Sequence, residues 1–139
     1  HTLIRHKKPH TNSKEDYRGI LNDKARAVFN GQIKIDPFAI KSDSDQINKN
    51  LMLSSKAEVD TKPELQIYND DVKAAHGATI GQLDDDQKFY LQSRGYSEVE
   101  ANRILARAFV YDLLEDQSDW VQKFISQDLD EYLKTVQGE

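Results

Sequence analysis

The sequence predicts a mainly β fold with an α-helical C-terminal part, and three observations carry that expectation. Short stretches of alternating apolar and polar residues recur as far as Leu83. From Asp84 onward apolar residues return about every 3.6 positions instead. Turn-type residues punctuate the first half often enough to call for many short strands rather than a few long ones.

Alternation is plainest in Gln32-Ile33-Lys34-Ile35 and in Leu65-Gln66-Ile67-Tyr68. It continues in Val72, Ala74, His76, Ala78 and Ile80, which share one parity. Asn22-Asp23, Asn30-Gly31, Asp36-Pro37, Ser42 to Asp45, Lys62-Pro63 and Asn69 to Asp71 read as the turns between strands. Such a series closes as a sandwich, a barrel or a β-helix. Inward positions are medium aliphatics with few large aromatics, which suits narrow stacked coils and puts a β-helix slightly ahead of a sandwich.

Three helices are expected in the second half. Asp84 caps the first, with Gln87 as capping-box partner. Asp85 and Asp86 place negative charge in its first turn, Arg94 lies near its negative end, and Gly95 supplies the left-handed residue after it. Ser97 and Glu100 form a second capping box, opening a helix to about Glu115 with the stripe Ala101, Ile104, Leu105, Ala108, Phe109 and Leu113. Ser118 starts the third, with the stripe Val121, Phe124, Ile125, Leu129, Tyr132, Leu133 and Val136, and Gly138 beyond it. The expected boundary divides residues 1–83 from a helical bundle over 84–139.

Composition narrows the function classes. Of 139 residues, 37% are hydrophobic and 31% charged, with a mean hydropathy of -0.77. No apolar run approaches the roughly 20 residues of a membrane helix, and the basic opening His1 to His10 is no signal peptide. The chain starts without methionine in a strand-like pattern and reads as a fragment of a longer, cytoplasmic protein. Cysteine is absent, which excludes disulfides and any thiolate metal site built from this chain alone. Residues 1–35 carry eight Lys/Arg against three Asp/Glu, whereas residues 84–139 carry six against thirteen. The basic residues alternate along strands without interleaved aromatics, so solvated faces explain them better than nucleic acid. The acidic rear suits a protein surface.

Most candidate sites have plainer explanations. Asp84, Asp85 and Asp86 could hold a hard cation, yet their place at a helix start suffices. Asp43 and Asp45 resemble the paired carboxylates of sugar-cleaving enzymes, but with Ser42 and Ser44 they also make ordinary turn chemistry. No phosphate loop or nucleophile elbow is present. His1, His6 and His10 show no ligand spacing. His76 differs: it sits on the apolar parity, flanked by the small Ala74, Ala75, Gly77 and Ala78, which leave room for another surface to approach. By local sequence alone it reads first as a packed core histidine.

The run from Glu58 to Gly95, EVDTKPELQIYNDDVKAAHGATIGQLDDDQKFYLQSRG, resembles the C-terminal region of the SufB/SufD family of iron–sulfur cluster assembly proteins. HTLIRHKKPH at the start, YRGIL from Tyr17 and KARAVFNGQIKI from Lys24 extend the resemblance over nearly the whole chain, thinning after about Phe109. Within the family the chain is similar to SufD rather than SufB. Gly77 stands where SufB-like proteins have a glutamate, and the SufB cysteine has no counterpart. Some SufD-like relatives carry a cysteine at the place of Ala74, so no thiol role passes to this chain.

The resemblance implies the C-terminal coils of a right-handed parallel β-helix, truncated, followed by a small helical domain. It implies a non-enzymatic scaffold in a SufB–SufC–SufD complex, in which SufB meets the end of the β-helix and the SufC ATPase meets the helical domains. His76 matches the histidine that faces SufB and is thought to hold iron or the nascent cluster. No cofactor is expected on the isolated chain, because clusters are held mainly by thiolates; a transient iron or cluster is expected in the complex. Asp86, Phe89, Tyr90 and Arg94 form the expected SufC-docking face, against the plainer reading that Phe89 and Tyr90 pack the bundle. A homodimerising structural fragment and a carbohydrate-active enzyme are the alternatives.

Overall fold

The computed structural model describes residues 1–115 and 117–135, so Val136 and Gly138 lie outside the described residues. Strands β1 (Thr2–His6), β2 (Asn12–Leu21), β3 (Arg26–Ile35), β4 (Asp43–Met52), β5 (Glu58–Ile67) and β6 (Lys73–Gln82) precede helices α1 (Asp85–Ser93), α2 (Glu98–Tyr111) and α3 (Asp119–Thr135). The odd strands form one sheet in the order β1-β3-β5 and the even strands another, β2-β4-β6. Successive strands therefore alternate between sheets. In the odd sheet the pairing is parallel, with Ile4 beside Ile33 and Ile33 beside Leu65. In the even sheet, Thr11 bonds Ser42, Ser13 bonds Ser44 and Gln46 bonds Glu15, each across 31 residues. A constant offset requires both strands to run the same way.

Contacts group the chain into two compact units. The first holds His1–Gly19, Arg26–Asn50 and Glu58–Ile80; the second holds Ile20–Ala25, Leu51–Ala57 and the residues from Gly81 onward. The core of the first unit is Ile33, Ile35 and Ala39, packed by Leu65, Val72 and Ala74. Its corners repeat: His10 and Lys41 both take positive φ, and their amides donate to Ile40 and Asp71 carbonyls. In the second unit Leu51, Ala106 and Leu133 are buried with Ile20, Leu53, Leu83, Phe109 and Leu129 against them.

Three expected turns lie within or at the start of strands. Ser42 and Ser44 are 1% exposed and bond back to Thr11 and Ser13, so Ser42 to Asp45 opens β4 rather than a loop. Small hydroxyl residues fit there because each finds its partner one strand away. Asn30-Gly31 lies inside β3, where glycine admits a close neighbour rather than a bend. Pro63 lies inside β5, an outer strand. The Tyr68 amide donates to the Ile35 carbonyl at 3.1 Å, which fixes which alternate β3 residues bond to β5. Gly31 is among them and is paired with Pro63, so the proline nitrogen faces away from β3 where no donor is missed.

The interior is also more polar than expected. His6, Ser42, Ser44, Gln46, Asn48 and Asn50 are all buried alongside the aliphatic core. His6 places Nδ1 2.6 Å from Thr11 Oγ1 and Nε2 2.9 Å from Ser13 Oγ, which makes it the packed core histidine of the first unit.

The helix starts agree with the sequence. Asp84 accepts from the Gln87 amide, and both halves of the Ser97–Glu100 box form. Gly95 has φ +96. α2 ends at Tyr111 rather than near Glu115. Its buried residues are Ala101 and Ala106, while Ile104 is exposed, so the inward face is rotated from the expected stripe. Phe124 of the α3 stripe is likewise exposed. Both departures arise because a 3.6-residue period identifies a stripe but not which edge of it a neighbour covers.

Candidate functional site

β6 is an outer strand of the even sheet and carries His76 in its middle. The inward row of this strand starts under cover, with Val72 and Ala74 packed on the aliphatic core. It opens at His76, which is exposed, and stays open at Ala78 and Ile80. The opposite face of the strand is open as well, because a Cβ at Gly77 or Gly81 would meet nothing within 4 Å. The imidazole is thus accessible rather than sealed among the core residues.

The row that leads to His76 was not visible in the sequence. Gln46 is fully buried and its Nε2 donates to Glu15 Oε2 at 2.6 Å. Its Oε1 is buried without a hydrogen-bond partner. The Ser42 carbonyl accepts from the Lys73 amide, and β4 and β6 have equal length, so Asp43 lies beside Lys73 and Gln46 beside His76. Glu15, Gln46 and His76 share one row. The only signal in the sequence was a spacing of one strand-to-strand repeat, which has no meaning until the register is known.

One imidazole does not make a metal site. Among the described residues no three His, Asp or Glu side chains gather as a metal-binding group. Asp84 is spent on its cap and Asp85 pairs with Lys88 Nζ at 2.6 Å. Asp43 is exposed and Asp45 half-buried, both on the outward parity of β4 beside the buried serines.

α1 presents the second candidate. Phe89 is 72% exposed and Tyr90 57% exposed, so neither is consumed by packing within the second unit. The Arg94 guanidinium lies 5.2 Å from the Tyr90 ring centroid, a cation–π distance. Asp86 and Tyr90 border an apolar groove of about 350 Å³ between α1 and α2, floored by Leu91, Ile104 and Leu105. Phe89 stands exposed beside Tyr90 on the same helix.

A further polar cluster ties α2 to α3. Arg107 donates to Tyr111 Oη at 2.9 Å and pairs with Asp130 at 3.3 Å, and Tyr111 Oη meets Ser126 Oγ at 2.5 Å. The hydrogen bond from Arg107, and after it the one shared with Ser126, hold the Tyr111 phenol below its ordinary pKa. No helix among the described residues is long and apolar enough to cross a membrane.

Comparison with known proteins places the chain. The family model for the SUF system FeS cluster assembly SufBD core domain matches residues 1–109. The iron–sulfur cluster assembly protein SufD of Escherichia coli (strain K12) is 48% identical over 118 residues, covering 85% of this chain and 28% of that protein. An iron–sulfur cluster assembly SufBD family protein of Synechocystis is 43% identical over 115 residues, covering 83% and 25%. SufD of Bacillus subtilis (strain 168) is 42% identical over 92 residues, covering 66% and 21%. The chain therefore spans about a quarter of the length of these relatives.

Proposed function

Because this chain belongs to the SufBD core family of the SUF system for FeS cluster assembly and is SufD-like, we propose that it is a non-catalytic scaffold element of that machinery. Its strands are read as successive coils of a parallel β-helix, which the alternation between two sheets supports. Its task is to present one imidazole, His76, to iron or a nascent cluster completed by SufB. SufB supplies the thiolate this chain lacks.

The observation that carries this reading is the accessible His76 on an outer strand. A neutral imidazole offers iron a nitrogen lone pair. With no group of three ligands gathered among the described residues, the isolated chain holds iron weakly and the site forms only across an interface. Anaerobic co-purification with SufB and SufC, followed by iron and sulfide analysis, tests it. His76→Ala is expected to remove bound iron and sulfide while leaving the complex assembled. Undiminished iron in that variant refutes the metal role.

A second surface is favoured by the exposure of Phe89 and Tyr90. Asp86, Phe89, Tyr90 and Arg94 are read as the docking face for the SufC ATPase. Exposed aromatics beside an arginine are the residue types that dominate binding energy at protein interfaces. Tyr90→Ala with Arg94→Ala is expected to abolish SufC pull-down; unchanged capture returns α1 to a merely structural role.

A further inference from the structure

Gln46 carries a buried oxygen in the Glu15–Gln46–His76 row that has no hydrogen-bond partner. Its amide is held on two sides. Nε2 is committed to Glu15 Oε2 at 2.6 Å, and the same nitrogen rests so close to Gly31 that a Cβ there would come within 2.6 Å. The group cannot turn over without breaking the bond to Glu15. Oε1 is therefore a buried acceptor with a fixed direction and no donor. Buried polar atoms almost always have partners, so such an orphan calls for an occupant.

His76 is the next residue in the row and is rich in what Oε1 lacks. Its ring carries an N–H in either neutral tautomer. No hydrogen bond joins the two here. Rotation about the two side-chain torsions of the exposed His76 brings its ring over the neighbouring row position.

We propose that Gln46 is a positioning residue for His76: its Oε1 accepts the ring N–H, locks one tautomer, and leaves the other nitrogen's lone pair facing outward. Glu15 acts one step further back by holding the amide so that its oxygen, not its nitrogen, meets the ring. Metal-binding histidines are commonly oriented in this way by an acceptor behind the ring. The inference deepens the reading of His76 as an iron ligand and rests on it for its purpose. The hydrogen bond itself needs no iron.

The test is nitrogen-15 NMR of the imidazoles in the full chain without metal, above the ordinary imidazole range of about 6.5 so that rings are neutral. Four histidines give four ring systems, and His76→Ala assigns the relevant one. Exposed His10 serves as the free-ring reference, and buried His6, bonded to Thr11 and Ser13, reports that the sheet is intact. His76 is expected in a single tautomer, and Gln46→Met is expected to return it to the His10 distribution with His6 unchanged. The paired swap Glu15→Gln with Gln46→Glu keeps an acceptor against the ring and is expected to restore the single tautomer. A His76 ring indistinguishable from His10 in the unaltered chain overturns the proposal, whether or not the Gln46 variant folds. So does a locked ring that Gln46→Met leaves unchanged. Because this measurement contains no iron, it fails or succeeds separately from the iron analysis of His76→Ala.

Discussion

A Cβ on Gly31 would lie 2.6 Å from Nε2 of Gln46, so these two residues fit together only because position 31 has no side chain. The ring of Phe29 would be almost as close, at 2.7 Å. Gly31→Ala is therefore expected to destabilise the first unit by about 1–3 kcal/mol, the usual range for overpacking. Urea denaturation measures it, and an unchanged midpoint would mean the Gln46 amide yields freely.

The two strand histidines should separate cleanly. His6→Ala removes a buried ring and its two hydrogen bonds to the Thr11 and Ser13 hydroxyls and is expected to cost about 1–3 kcal/mol. His76→Ala alters an exposed side chain and should stay within about 0.5 kcal/mol. Parallel thermal melts decide it. Equal losses would place His76 in the core after all.

Burial in the helices makes a similar contrast. Leu133 is 3% exposed among Leu51 and Ala106, so Leu133→Ala should cost about 2–5 kcal/mol. Phe124 is 58% exposed on the same helix, and Phe124→Ala should cost about 0.5 kcal/mol or less. Chemical denaturation of both variants is the check.

The start of α2 should respond to acid. Hydrogen bonds from the Ser97 hydroxyl and then its amide hold the Glu100 carboxyl below the usual glutamate pKa. A depressed folded pKa stabilises above the unfolded value of about 4.3 and loses that contribution as pH falls through the folded value. Glu100→Gln keeps an acceptor for the box and removes this titration. The stability gap between the two proteins, followed by circular dichroism, should shrink below about pH 4; a gap that widens on acidification would contradict the assignment.

Local chemistry was the legible part of the fold. Asp84, Ser97 with Glu100, and Gly95 announce helix ends through interactions within four residues, which a sequence displays directly. The strands around Ile33 and Leu65 showed through alternation for the same reason. Ser42, Ser44, Asn30-Gly31 and Pro63 misled because their residue types favour turns, while their actual partners lie one strand away in the sheet. His76 could be placed on the correct row, yet its exposure depends on which strands flank β6. Glu15 and Gln46 were invisible as its companions until the register joined them.

Pro63 has one more effect, on what the odd sheet can recruit. β5 is an outer strand whose outward-facing amides come from alternate residues, Val59, Thr61, Leu65 and Ile67, with the proline between them. A stray strand laid along that rim would find a missing rung midway and could not zip continuously. The same ring that the inner ladder tolerates thus discourages runaway stacking of one chain on the next.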